Sequence, residues 1–215
     1  MANVSRINGF RPVLHIDGSP FNGQVTRYFA AASDATPIFN GDLVKLAAVS
    51  DTQGQALLGG VNSPVGGTPG VTKFVAGTDS AAVGVAVGFM INPLNLNSPQ
   101  YRTASTAMYV LVADAPDTVF EVQVDGTTYP GGSAGIIPTA GFNKNFNVSD
   151  AGGSTVTGFS GEQVLTSSAA TTATLPLRAH GAVQKVDNDI TSANAKILVY
   201  INNHQLNAGT GSVGV

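Results

Sequence analysis

Five Asn-Gly and Asp-Gly pairs punctuate this chain: Asn8-Gly9, Asp17-Gly18, Asn22-Gly23, Asn40-Gly41 and Asp125-Gly126. A two-residue hairpin turn of type I′ needs positive φ at both residues, and Asn or Asp followed by Gly meets that need at the lowest steric cost. A chain with so many reversals has little room for long helices. Its composition agrees: eleven Asp against two Glu, with 26 Gly and 11 Pro, is a stock of turn formers rather than helix formers.

The runs between the turns read as strands. They are "FRPVLHI" (10–16), "QVTRYFA" (24–30) and "DLVKLAAV" (42–49). Pro12 lacks an N–H and confines the first run to a sheet edge or an extended arm. In "AVGVAVGF" (82–89), Val83, Val85, Val87 and Phe89 alternate with Gly84, Ala86 and Gly88. A strand so small on one face lets another backbone or sheet approach closely, or floors a shallow ligand groove.

In "VFEVQVD" (119–125), Phe120, Val122 and Val124 point one way, and Glu121, Gln123 and Asp125 the other. Period two predicts one buried and one solvated face, with the acids on the wet side. Asp114 and Asp117 flank Pro116 as turn formers. Residues 173–186 and "AKILVYINNHQL" (195–206) resume the strand pattern. Apolar residues on both faces of the latter predict a central strand. Residues 57–72 and 130–160 are Gly-, Pro- and Ser-rich and read as loop excursions, with at most one or two short helices near 160–170.

The expected fold is therefore all-β: a jelly roll, or a small β-barrel or sandwich, with long loops and an extended N-terminal arm. Residues 1–20 form the arm or an edge segment, 21–206 a single β-rich domain and 207–215 a flexible tail.

Chemistry finds little purchase. Charged residues are 11% of the chain, against roughly 25% in an average soluble domain, which suits a protein held within an assembly. A net charge of −3 with ten scattered Lys and Arg makes no basic stripe, so direct nucleic-acid binding is not expected. There is no cysteine for disulfide or thiolate chemistry. The first ten residues carry no apolar signal core, and no run is long enough to span a bilayer. The expected setting is synthesis in the cytosol with no membrane partner.

"GTGSVG" (209–214) lacks the strand-turn-helix setting that dinucleotide binding requires. "GFSGE" (158–162) has Glu162 where a nucleophile elbow needs Gly. "DND" (187–189) is followed by Ser192 and Leu198 where a calcium loop needs Gly and Glu. His15, His180 and His204 have no metal-ligand spacing. No enzyme, cofactor or metal site is expected.

Three blocks carry a resemblance: "INGFRPVLHIDGSPFNGQVTRYF" (7–29), the run 82–126, and "AKILVYINNHQL" (195–206). Together they resemble tailed-bacteriophage head proteins of the capsid decoration, or cement, type. The resemblance implies a virion structural protein on the head exterior. It would be a homotrimer whose partner is the major capsid protein, clamping neighbouring capsid subunits. It also implies a docking arm, here Arg6, Ile7, Phe10, Arg11 and Val13, in which cations alternate with apolar anchors able to add a strand to an exposed edge. The same run 10–16 reads equally as the protein's own edge strand. The alternative function is a tail- or fibre-associated β-module binding host glycan, with Tyr28, Tyr101 and Tyr129 as its aromatic candidates.

Overall fold

A computed structural model describes residues 3–51, 67–91, 96–132 and 137–207. Among these the fold is all-β, with eleven strands and one short 3-10 turn, Thr139–Gly141. Strands β2 (Thr26–Ala30), β3 (Leu43–Ser50), β4 (Pro69–Lys73), β5 (Gly84–Phe89) and β6 (Met108–Ala113) close into a barrel of order β2-β4-β3-β5-β6. Closure removes the exposed edges that an open sheet would leave. Its parallel contact, Phe29 with Gly70, joins β2 to β4.

The second sheet has six strands in the order β1-β7-β11-β10-β8-β9. They are β1 (Arg11–His15), β7 (Thr118–Gln123), β8 (Asn145–Gly153), β9 (Ser160–Ala170), β10 (Leu177–Ala182) and β11 (Lys196–Ile201). It curls on itself, since Val124 beyond β7 bridges Val164 of β9. As its two apolar faces require, β11 is central, between β7 and β10.

The barrel interior is filled by Tyr28, Ala30, Ile38, Val44, Val71, Val83, Ala86, Val110 and Val112. A larger core joins the two sheets: Leu43, Val85 and Ala113 from the barrel meet Phe120, Val122, Phe146, Val164 and Ile197 from the six-stranded sheet. On the small face of 82–89, Gly84 serves close approach, whereas Gly88 lines a surface recess. A Cβ on Gly84 would lie 2.4 Å from the Ala113 carbonyl oxygen. Arg102, fully buried, clamps the 31–38 connection by donating to the carbonyls of Ala31, Asp34, Thr36 and Thr106.

Several expectations change. The stretch 130–160 holds β8, and 160–170 is an eleven-residue strand rather than helix. Within 57–72, residues 69–72 belong to β4, while 57–66 lie outside the described residues, as do 208–215 of the expected tail. The Asn-Gly and Asp-Gly pairs are also not type I′ turns. All five glycines have positive φ, from 67° at Gly9 to 98° at Gly41, but none of the preceding Asn or Asp residues does. Only the Asp17-Gly18 turn folds the chain straight back beside its own strand, pairing Leu14 with Pro20.

Candidate functional site

The N-terminal segment is built into the fold. The Asn3 carboxamide donates to the Asp189 carbonyl at 2.7 Å and accepts from the Asp189 amide at 2.8 Å. Gln123 of β7 accepts from the Arg6 amide at 3.1 Å and donates to the Val4 carbonyl at 3.2 Å. Phe10, expected as a docking anchor, is 1% exposed within the joint core. Its aromatic surface is already spent on folding, so it cannot serve a partner.

Residues 11–15 form the protein's own edge strand, paired to β7. The outer edge of β1 is blunted. Pro12 has no N–H to offer, the His15 amide donates to Ser19 at 2.8 Å, and the Val13 carbonyl accepts from Phe21 at 3.1 Å. A capsid strand could not add beside Val13–His15 without displacing the 19–21 turn. Val13 is half-buried, whereas Arg6, Ile7 and Arg11 are exposed.

Of these, Arg11 borders a surface recess, whereas Arg6 faces Glu121 and Lys196. Asn8, Arg11 and Pro12 form one wall of a recess of about 340 Å³, and Phe10, Phe21, Asn40, Val87 and Phe159 complete it. Asn40 joins it to a neighbouring recess of about 420 Å³ lined by Phe89, Ile91, Leu96 and Pro99 among others. Phe159 is 44% exposed, Ile91 75% and Leu96 79%. Asn40, Ser98 and Gln100 share this lining, so the surface is mixed, with its exposed apolar side chains as the groups a partner would cover.

No protein-family profile, curated protein or solved structure matches the chain.

The acidic cluster of 114–125 disperses into local structure. Asp114 accepts from Thr26 at 2.9 Å and from Tyr28 at 2.8 Å; burial first, and then this bond to Asp114, pushes the Tyr28 phenol up. Asp117 lies 3.2 Å from His15. Asp125 caps its own turn at Thr127 and accepts from the Thr166 amide at 3.0 Å. Glu121 corrects the wet-face expectation. It is 7% exposed and paired with Lys185 at 2.8 Å and Lys196 at 3.2 Å. Burial pushes its carboxyl up, but the two lysines outweigh that and hold it below its ordinary value. Gln123 is buried beneath the N-terminal segment.

Asp189 of the calcium-like run accepts from the Thr191 hydroxyl and amide and the Ser192 hydroxyl, which draw its carboxyl down to about 2. That is a turn. Among the described residues no three His, Cys, Asp or Glu gather as metal ligands.

One cluster escaped the sequence altogether. Asp42, Lys73 and Glu162 are buried where the barrel meets β8 and β9, with Asp150 on the solvent side. Lys73 Nζ lies 2.9 Å from Asp150, 3.5 Å from Asp42 Oδ1 and 3.9 Å from Glu162 Oε1. Burial, then the Asp42 charge, drives the Glu162 carboxyl well above the usual range. Asp42 is also raised by burial, partly offset by Lys73. The only available signal was scarcity: a chain with two Glu places both in buried ion networks.

Proposed function

We propose that this chain is a virion structural protein that binds the outer surface of a tailed-phage head and clamps neighbouring major capsid subunits. The carrying observation is the pair of adjoining recesses that leave Phe159, Ile91 and Leu96 exposed among polar neighbours, with Arg11 on one wall. Burying it on a partner removes apolar area from water at roughly 25 cal/mol per Å². Arginine is among the residues enriched at interfaces, and a surface with few other charges has little to desolvate. The contact is then made by side chains of an anchored segment rather than by a free arm adding a strand.

Self-association as a homotrimer follows from the same resemblance; a closed ring would present three copies of the surface and raise avidity by about 10²–10⁴ when all engage. The glycan-binding alternative draws less support. Tyr28 is buried, Tyr101 stacks on Phe39 at 4.6 Å, and Tyr129 packs on the core, so none offers an open sugar platform.

The test is co-sedimentation of the purified protein with undecorated heads. Arg6→Glu with Arg11→Glu, and separately Phe159→Asp, should each weaken head binding by on the order of tenfold or more while leaving the melting temperature near wild type. Wild-type occupancy by both variants, or recovery of the protein only with tails, overturns the proposal. Deleting the segment is the wrong test, because it also removes Phe10 from the core.

A further inference from the structure

Head binding makes no use of Asp42, Lys73 and Glu162. An ordinary buried ion pair brings ammonium and carboxylate to about 2.7–2.9 Å and satisfies the remaining oxygens. Here the 2.9 Å contact is to Asp150, on the solvent side. The two buried acids are held differently. Asp42 Oδ2 accepts from the Phe39 amide and Glu162 Oε2 from the Leu43 amide, each at 2.7 Å. Their other oxygens, Asp42 Oδ1 and Glu162 Oε1, have no hydrogen-bond partner and face the Lys73 amine. Two carboxyl groups are thus fixed in orientation by the backbone, with the Ser160 side chain also on Asp42, and each leaves one oxygen without a hydrogen bond facing the same primary amine.

We propose that Lys73 and Asp42 join in an intramolecular isopeptide bond that the protein forms by itself, with Glu162 as the proton relay. Nζ lies 3.5 Å from Asp42 Oδ1, and forming the bond requires it to close on Cγ to the about 3–3.5 Å of near-attack geometries. A proton first passes from the ammonium to the Asp42 carboxylate. Burial favours the resulting neutral amine and neutral acid over two separated charges. The Nζ lone pair then attacks Cγ, and charge developing on Oδ2 is met by the Phe39 N–H, as in an oxyanion hole. Protonated Glu162 gives its proton to the departing Oδ1 and takes one back from Nζ. The Cγ–Oδ1 bond breaks and one water leaves.

No electrons are gained or lost, and no co-reactant is needed. Burial and the neighbouring Asp42 charge keep the Glu162 carboxyl protonated beyond the usual range, as a relay requires. Burial draws the Lys73 ammonium down, but the surrounding carboxylates outweigh it and hold it above its ordinary value. The free amine therefore arises by transfer within the cluster, not by loss to solvent. The product ties the start of β3 to the end of β4 and replaces two buried charges with one neutral amide. A particle protein gains a link that survives partial unfolding.

Intact-mass spectrometry of the purified full chain in denaturing solvent tests this directly. Wild type should be lighter than its sequence mass by one water, and fragmentation should yield a branched peptide joining Lys73 to Asp42. Lys73→Arg and Glu162→Gln should appear at full sequence mass, and Asp150→Ala should keep the link. Wild type at full sequence mass overturns the proposal whether or not any variant folds. So does a water lost as succinimide at Asp17-Gly18 or Asp125-Gly126, or a branch through Asp150 or Glu162. A linked Glu162→Gln chain removes the relay.

Discussion

Glu121 shows what period two does and does not establish at the scale of one residue. Alternation correctly puts its side chain opposite Phe120 and Val122, but whether that face is wet depends on what the rest of the chain lays over it. Lys185 and Lys196 close over Glu121, and the N-terminal segment lies over its neighbour Gln123, all distant in sequence. An isolated strand pattern carries no trace of them. Glu121→Ala should therefore cost on the order of 1–2 kcal/mol at neutral pH, rather than the few tenths expected of an exposed position, given the partial exposure of both lysines.

The sign of its pH dependence follows from its lowered carboxyl. The contribution is present above the unfolded value of about 4.3 and fades as pH falls through the lower folded value. Urea titrations of wild type and variant near neutrality and near pH 3 should show the difference shrinking on acidification. A difference independent of pH would mean the ion pairs contribute nothing. The residues expected to form a docking arm divide by the same logic: Arg6, Ile7 and Arg11 stay outside, as charge and alternation allow, while Phe10 goes inside because Gly9 and Gly41 let the segment sink against the barrel.

At the scale of elements, strands with β-branched and aromatic alternation were legible to within a few residues: β1, β2, β3, β5, β7 and β11 fall inside the predicted runs or within two residues of them. Strands β8 and β9 were not. "NFNVSDAGG" offers two large apolar residues, and bulges between Asn145 and Asn147 and between Asp150 and Gly153 break its alternation. Their order comes from pairing with each other, a long-range property with weak local sequence support. Glycine in β5 allows a sharper test, because the strand uses its small residues unequally. A Cβ at Gly84 would meet backbone, the Ala113 oxygen at 2.4 Å, whereas at Gly88 the nearest atom is Leu111 Cδ1 at 3.7 Å. Gly84→Ala should destabilise by about 1–3 kcal/mol, and Gly88→Ala should stay within about 0.5 kcal/mol of wild type. Equal shifts in chemical denaturation would show that β5 does not press on β6 as described.

At the scale of the molecule, the question is whether barrel and curled sheet stand or fall together. Their joint core, with Leu43, Val85 and Ala113 against Phe120 and Val164, predicts one cooperative unit. The seam is backbone as well as side chain. The Phe10 amide donates to Gly41, the Asn40 amide to Gly158, the Ser160 amide to Asn40 and the Gly41 amide to Ala86, all between 2.7 and 2.9 Å. Gly9 sits at the centre of this stitching with φ of 67°, and a Cβ there would lie 2.5 Å from both the Gly41 oxygen and Ser160 Cβ. Neither neighbour can retreat without breaking the seam, and an L side chain is strained at that φ in any case. Gly9→Ala should cost about 2–4 kcal/mol. Because the seam belongs to both sheets, amide hydrogen exchange should quicken together in β5 and β6 of the barrel and in β8 and β9 of the sheet. Full protection retained in one sheet while the other opens would divide the molecule into two independent units and make the shared core a contact rather than a common foundation.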